Sequence, residues 1–236
     1  MEMNKQYYLK HQKKMLKYFS VLTKHFKKVL KSRFSKAEIA KITLMAKNEY
    51  TKLFPNTPYI GGFENKNTAN IVGSVIILSY INVLEKYGLK EREIGEIIYN
   101  MFELLFKDRG FLVKTFIKFF VKTKAGKKFI QKAVDKKAKY EKHEAAWITR
   151  VVEDSDYDMS FDLKSCGICK YYKELGSENY IKYICLGDFP MFNSVGLELH
   201  RENTEANGAD VCTYRIKVSD KRVPAWPPEN LPEWKY

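Results

Sequence analysis

The 236-residue sequence predicts an α+β protein, with a helical N-terminal part packed on a C-terminal antiparallel sheet covered by helices. Two observations predict this class. Apolar residues recur at helical spacing through the first part, whereas β-branched and aromatic residues alternate in short runs after it. We therefore divide the chain into a helical, lysine-rich part at residues 1–145, a cysteine-bearing α+β domain at 146–220 and an extended proline-rich tail at 221–236.

Amphipathic helices account for most of the N-terminal part. Apolar residues recur among lysines at helical spacing, and Ser35 precedes Glu38 at the spacing of a capping box. Prolines and glycines between residues 53 and 62 interrupt the pattern, and Gly88 is placed to end a helix in the left-handed conformation. We expect helices at residues 5–53 with a break before Ser35, and at 68–87, 89–106, 111–122 and 124–142.

Two of these helices bear on membrane association. The longest apolar run, Ile71–Leu84, is shorter than the roughly 20 residues that cross a bilayer, so we expect a buried core helix. In the helix at 111–122, Lys114, Lys118 and Lys122 recur at every fourth residue. We expect this lysine stripe to face water while the phenylalanines face the core. A basic helix lying on an anionic membrane surface is the alternative that the sequence favours less.

Charge is distributed unevenly along the chain. The formal net charge is +14, but residues 1–150 hold 32 Lys and Arg against 13 Asp and Glu, whereas residues 151–236 hold 10 against 15. No arginine-rich or aromatic-interleaved motif accompanies the lysine excess, so we expect no nucleic-acid partner. No secretory signal is visible, and four cysteines suit thiol or metal chemistry in a reducing compartment. We therefore expect a cytoplasmic protein.

Short strands and helices alternate in the C-terminal part. Two β-rich runs around Asp154–Asp156 have the pattern of a hairpin, and Asn207-Gly208 marks a turn between two further strands. An antiparallel sheet covered by helices on one face is therefore predicted. We place strands at 147–153, 157–163, 197–203 and 211–219, helices at 167–174 and 180–186, and the tail in an extended conformation over the surface.

The four cysteines, Cys166, Cys169, Cys185 and Cys212, are open to three interpretations. Four thiolates can bind zinc, although Cys185 and Cys212 lack the second close pair of a zinc ribbon. Cys166 and Cys169 follow a predicted strand and open a helix, as in a redox-active pair, but the surrounding βαβ pattern is absent. Each cysteine can also be a small buried apolar side chain.

A set of short blocks occurs in a fixed order between residues 58 and 218. The blocks are Pro58–Gly62, Asn67–Asn70, Cys166–Ile168, Tyr171-Tyr172, Leu175-Gly176, Tyr183–Pro190, Arg201–Thr204, Gly208 and Cys212–Arg215. Together they resemble the L-2-amino-thiazoline-4-carboxylic acid hydrolase family. The individual blocks are short, but their order and spacing are specific.

The resemblance implies hydrolytic opening of a cyclic S,N-containing amidine carboxylate to an N-carbamoyl amino acid, with a small anionic molecule as partner. Such a reaction needs a nucleophile or activated water, a proton relay and a cation for the substrate carboxylate. The catalytic candidates are Asp188, Cys185 and Cys166, and the substrate-binding candidates are Arg201, Cys212 and Tyr59. Asp188 would be the general base, a cysteine the nucleophile, and Arg201 the clamp on the carboxylate. No cofactor is named by the resemblance.

Other interpretations of these residues stay open. Asp188 can be a turn or N-cap residue before Pro190, and Arg201 can form a surface ion pair. Strand alternation points His200 and Arg201 to opposite faces, so we do not expect both to line one pocket. The family is also similar to small-ligand-binding domains related to 4-vinyl reductase, so a ligand- or metal-binding sensor without turnover is the alternative function. An adaptor that uses the lysine-rich helices is a third possibility.

Overall fold

The computed structural model of the protein describes residues 2–107, 110–219 and 221–234. Within them, N-terminal helices precede a four-stranded antiparallel sheet, which confirms the predicted α+β class. The helices are α1 (Glu2–Lys10), α2 (Gln12–Leu30), α3 (Lys36–Leu53), α4 (Thr68–Lys86), α5 (Glu91–Leu105), α6 (Phe111–Lys122), α7 (Lys124–Ala138), α8 (Gly167–Glu174), α9 (Ile181–Cys185) and α10 (Asp188–Asn193). The strands are β1 (Ile148–Val151), β2 (Met159–Lys164), β3 (Leu197–His200) and β4 (Cys212–Val218).

The chain forms two compact units that do not follow the predicted boundary near residue 145. The first unit contains Met1–Leu105 and Lys170–Ile184, and the second contains Phe106–Cys169 and Cys185–Tyr236. Helices α6 and α7 belong with the sheet because α6 contacts β4 and α7 contacts β1. Most of α8 and α9 belongs instead with the N-terminal helices.

Helix α4 forms the centre of the first unit. Among the described residues, α4 has the length and composition that could cross a membrane, but 72% of its most apolar window is buried inside the protein. The Tyr80 ring stacks on Phe26 with centroids 4.0 Å apart, and its hydroxyl donates to Thr23 Oγ1 at 3.0 Å. Burial of this kind is expected of a core helix, as predicted for the run Ile71–Leu84.

Two tyrosines of the segment Lys170–Ile184, Tyr172 and Tyr183, complete the first unit. The buried Tyr172 hydroxyl donates to the Ser74 carbonyl of α4 at 2.7 Å. Tyr183 lies so close to α5 that a Cβ added at Gly95 would be 2.3 Å from its ring. A glycine is therefore required at position 95 for this contact, although glycine weakens a helix.

The sheet of the second unit has the order β1-β2-β4-β3, and all neighbouring strands are antiparallel. Phe161 on β2 faces Tyr214 on β4 in the register, and the two rings stack with centroids 4.6 Å apart. Helix α10 packs on β3 at one edge of the sheet. The inner strand β4 carries both Cys212 and Tyr214.

Several local predictions are confirmed. Ser35 forms both hydrogen bonds of a capping box with Glu38 at the start of α3. Gly88 follows α4 with a φ of 82°, in the left-handed region where glycine is favoured. The bounds of α6 and α8 coincide with the predicted helices.

Three expectations are corrected. The sequence predicts no helix at residues 188–193, where Asp188 is open to interpretation as a turn or N-cap residue before Pro190. Asp188 instead opens α10, and Pro190 lies in the first helical turn, where the missing N–H needs no partner. The tail is not extended over the surface, because Ala225, Leu231 and Glu233 are buried and it contains two short 3-10 turns. The phenylalanines of α6 do not all face the core, since several are strongly exposed.

Candidate functional site

Arg201 is the centre of a buried polar network in the second unit. Its guanidinium donates from Nε and Nη2 to both carboxylate oxygens of Glu233, with Nη2–Oε1 at 2.8 Å. Nη1 donates to Asp188 Oδ2 at 2.6 Å and to the Tyr214 hydroxyl at 3.3 Å, and Nη2 also donates to the Cys185 carbonyl at 2.8 Å. These bonds use every N–H of the guanidinium. A substrate carboxylate can therefore reach Arg201 only by displacing one of these partners.

Asp188 is a part of this network that solvent reaches. Its side chain is 28% exposed, whereas that of Arg201 is 0% exposed. Burial raises the pKa of Tyr214, so its phenol stays protonated and donates to Asp188 Oδ2 at 2.9 Å. Among the described side chains, Arg201 and Tyr214 donate hydrogen bonds to Asp188, and both bonds reach Oδ2. Oδ1 is consequently the oxygen that is left for a water molecule or a substrate proton.

A sharp strand-to-helix turn presents Cys166. Ser165, between β2 and α8, has a φ of 58°, a left-handed conformation that is uncommon for a residue with a side chain. The turn places Cys166 directly before α8, where the backbone N–H groups of Ile168 and Cys169 bond to its sulfur. The start of a helix favours a thiolate over a thiol, because its free N–H groups stabilise negative charge.

The four cysteines, which we call the thiol group, lie together in the second unit and are all free. Cys185 interacts electrostatically with both Cys166 and Cys212. A hydrogen bond from the Cys169 thiol holds the pKa of Cys166 below that of an ordinary cysteine. Burial instead raises the pKa of Cys185, and it raises that of Cys212 to about 12. Cys166 is therefore the thiol that ionises most readily, while Cys185 stays protonated at neutral pH.

Glu205 belongs to the site, although it is not among the residues that the sequence predicts there. Its Oε2 accepts the Cys166 amide at 3.0 Å, and its own amide donates to Cys212 Sγ at 3.3 Å. Its Oε1 is buried and has no hydrogen-bond partner. A buried carboxylate oxygen without a partner can accept a proton from a neighbouring thiol. The available signal was its position directly after the Arg201–Thr204 block.

A cavity of about 550 Å³ reaches the network at Arg201. Its lining includes Phe189, His200, Arg201 and residues of the tail, but no member of the thiol group. His200 and Arg201 thus line one pocket, contrary to the prediction from strand alternation. The reason is that β3 ends at His200, so the alternation of side chains does not extend to Arg201.

The remaining candidate is Tyr59. It belongs to the first unit, where its ring contacts Tyr7 with centroids 5.1 Å apart. Its role in substrate binding stays a prediction. The structure does bring Asp188, Arg201 and the thiol group into one unit. Among the residues that the structure describes, no group of three or more His, Cys, Asp or Glu side chains is arranged to hold a metal ion.

Comparison with known proteins adds one positive finding. The sequence profile of the L-2-amino-thiazoline-4-carboxylic acid hydrolases matches residues 64–216, which include Cys166, Cys185, Asp188, Arg201 and Cys212. No curated protein and no solved structure is significantly similar to the chain. The profile match spans more than half of the chain and covers the blocks from Asn67–Asn70 to Cys212–Arg215. The chain therefore belongs to the L-2-amino-thiazoline-4-carboxylic acid hydrolase family.

Proposed function

We propose that the protein hydrolyses a small cyclic amidine carboxylate of the 2-amino-thiazoline-4-carboxylate type to an N-carbamoyl amino acid. One observation carries the proposal. Within the family match, a thiol of lowered pKa, Cys166, lies in the same unit as thiols of raised pKa and a partly exposed carboxylate, Asp188. Groups whose pKa values are pushed apart are typical of acid–base sites.

The proposed reaction adds one water molecule to the ring carbon that lies between sulfur and nitrogen. The new C–O bond forms as the ring C–S bond breaks, and the ring nitrogen remains attached to the same carbon. One proton of the water is transferred to the departing sulfur. The other proton leaves the oxygen as the carbonyl forms and is transferred to the ring nitrogen. The product is an N-carbamoyl amino acid with a free thiol, so atoms and charges balance without an oxidant or reductant.

In this proposal Asp188 is the general base. Its Oδ2 is held by Arg201 and Tyr214, which fixes the orientation of the carboxylate and directs Oδ1 to the attacking water. We assign to Cys185 the protonation of the departing sulfur, because its raised pKa keeps the thiol protonated. Cys166 is the candidate nucleophile if the ring opens through a covalent intermediate, because the hydrogen bond from Cys169 favours its thiolate.

Hydrolysis of L-2-amino-thiazoline-4-carboxylate, followed by mass spectrometry of the carbamoyl product, tests the proposal. Asp188→Asn should lower kcat by roughly 10²- to 10⁴-fold with KM nearly unchanged, since an amide keeps the shape but cannot accept the proton. Asp162→Asn is the matched control, because Asp162 is also a carboxylate bonded to an arginine, Arg215, in the same unit. Its kcat should stay close to that of the wild type.

Two results would contradict this function. Full turnover by the Asp188→Asn variant would remove Asp188 as the base. Wild-type protein that retains the compound in native mass spectrometry but never opens it would instead support the alternative, a small-ligand sensor without turnover. The cavity of about 550 Å³ at Arg201 is compatible with such a binding module.

A further inference from the structure

Helix α6 and the first turns of α7 carry a concentration of exposed apolar side chains. Phe111, Leu112, Phe116 and Phe119 on α6 are 80%, 81%, 65% and 71% exposed, and Phe129 on α7 is 62% exposed. At about 3.6 residues per turn, the four side chains on α6 fall within an arc of about 140°. We call these five residues the aromatic face.

The aromatic face is continuous, and it is not the side by which α6 is attached. The Phe120 ring contacts Phe116 and Phe129, with centroids 5.8 and 5.6 Å away, and so joins the two helices. The attached side of α6 contains the buried Val121. Lys118 packs its methylene chain so close to Gly196 that an added Cβ there would lie 2.4 Å from Lys118 Cε.

Positive charge borders this face. Residues 111–138 hold nine lysines and one aspartate, Asp135. On a helix of about 3.6 residues per turn, the row Lys114, Lys118 and Lys122 borders the arc of exposed phenylalanines on one side. Single exposed apolar residues are common on protein surfaces, but a contiguous group of them bordered by charge of one sign marks an interaction site.

We propose that the aromatic face and its lysines bind an anionic membrane surface, with α6 and α7 lying in the headgroup region. Phenylalanine and leucine can enter the boundary with the acyl chains while the lysines contact anionic headgroups. A second copy of the chain would bring two lysine-rich surfaces together, which like charges oppose. A nucleic-acid duplex would pair with the lysines but would leave the phenylalanines in water.

Co-sedimentation of the full-length protein with neutral and anionic phospholipid vesicles tests this proposal. Binding should require the anionic lipid and should weaken as salt is raised, because the attraction is screened. Replacing the exposed lysines Lys122, Lys127 and Lys128 by Gln should weaken binding by roughly a hundredfold at low salt. The matched control replaces Lys36, Lys41 and Lys47, which are equally exposed on α3, and should change binding little.

The apolar contribution is tested with Phe116→Ser and Phe119→Ser together, which should weaken binding by at least about tenfold. Leu44→Ser is the control, since Leu44 is 60% exposed on α3. Circular dichroism checks that each variant is folded.

The proposal is wrong if wild-type protein does not bind anionic vesicles at low salt, or if the serine variant binds as tightly as wild type. Loss of a concentration-dependent dimer in the serine variant, without vesicle binding, would assign the face to a second copy instead. Duplex binding that the serine variant retains, without vesicle binding, would assign the lysines to nucleic acid.

Discussion

Cys166 and Cys169 differ in acidity although they are close in sequence and both buried. The first precedes α8 and accepts hydrogen bonds at its sulfur, whereas the second is the donor in the bond between the two thiols. The pKa of Cys169 is accordingly raised, first because its proton is held by Cys166. The pair therefore behaves as one thiolate with one protonated thiol beside it.

Removing that donor should change the acidity of Cys166. The Cys169→Ala variant lacks the hydrogen bond that lowers the pKa of Cys166, so the thiolate should form at higher pH than in wild type. Ultraviolet absorbance of the thiolate against pH measures this shift. Cys212→Ala is the control, because burial raises the pKa of Cys212 to about 12 and its loss should leave the titration of Cys166 unchanged. A titration that persists in Cys166→Ser would assign it to another thiol.

Two glycines inside helices of the first unit have opposite surroundings. A Cβ at Gly95 in α5 would lie 2.3 Å from the Tyr183 ring, whereas a Cβ at Gly73 in α4 would meet nothing within 4 Å. Replacing glycine by alanine in a helix stabilises it by roughly 0.5–1 kcal/mol when the site is free. We expect Gly73→Ala to raise the free energy of unfolding by that amount and Gly95→Ala to lower it by roughly 1–3 kcal/mol, as overpacking does. Urea denaturation measures both, and equal signs would contradict the close contact.

The helices could be predicted from sequence more fully than the parts of the chain against which each helix packs. The capping box at Ser35 and the apolar period of α4 are local signals, and both elements formed as expected. Helix α10 was not predicted because its six residues, which include Pro190, are too few to show a recognisable helical spacing of apolar residues. The prediction that the phenylalanines of α6 face the core was wrong for a related reason. Amphipathic spacing defines the faces of a helix but does not say which face the rest of the chain covers.

The division of the molecule into two units depends on contacts between distant positions. Tyr172 lies beyond the predicted boundary, yet its hydroxyl bonds to Ser74 in α4. Tyr172→Ala should therefore cost roughly 3–5 kcal/mol and lower hydrogen-exchange protection in α4. Leu175→Ala, directly after α8, removes a 44% exposed side chain and should change stability by less than about 0.5 kcal/mol. Unchanged protection of α4 in the Tyr172 variant would contradict the assignment of Lys170–Ile184 to the first unit.

Much of the candidate site could be named from the blocks in the sequence, but the partners within it could not. Asp188, Arg201 and Cys185 were identified, and the structure brings them together. Glu205 was missed because a single glutamate in a polar loop is usually exposed. Glu233 was missed because nothing in a proline-rich tail indicates which carboxylate will be buried 32 positions from its partner. Asp188 and Glu233 neutralise the charge of Arg201 through contacts that form only in the folded chain.

The charges around Arg201 have a thermodynamic consequence for any anion that binds there. One guanidinium is shared by the carboxylates of Asp188 and Glu233, so the buried cluster is formally negative before a ligand arrives. Adding a third carboxylate to the same cation would place a further uncompensated negative charge in a poorly solvated site. An anion that binds at Arg201 must therefore exchange with the carboxylate of Asp188 or Glu233, so its affinity is the difference between two ion pairs and not the strength of one.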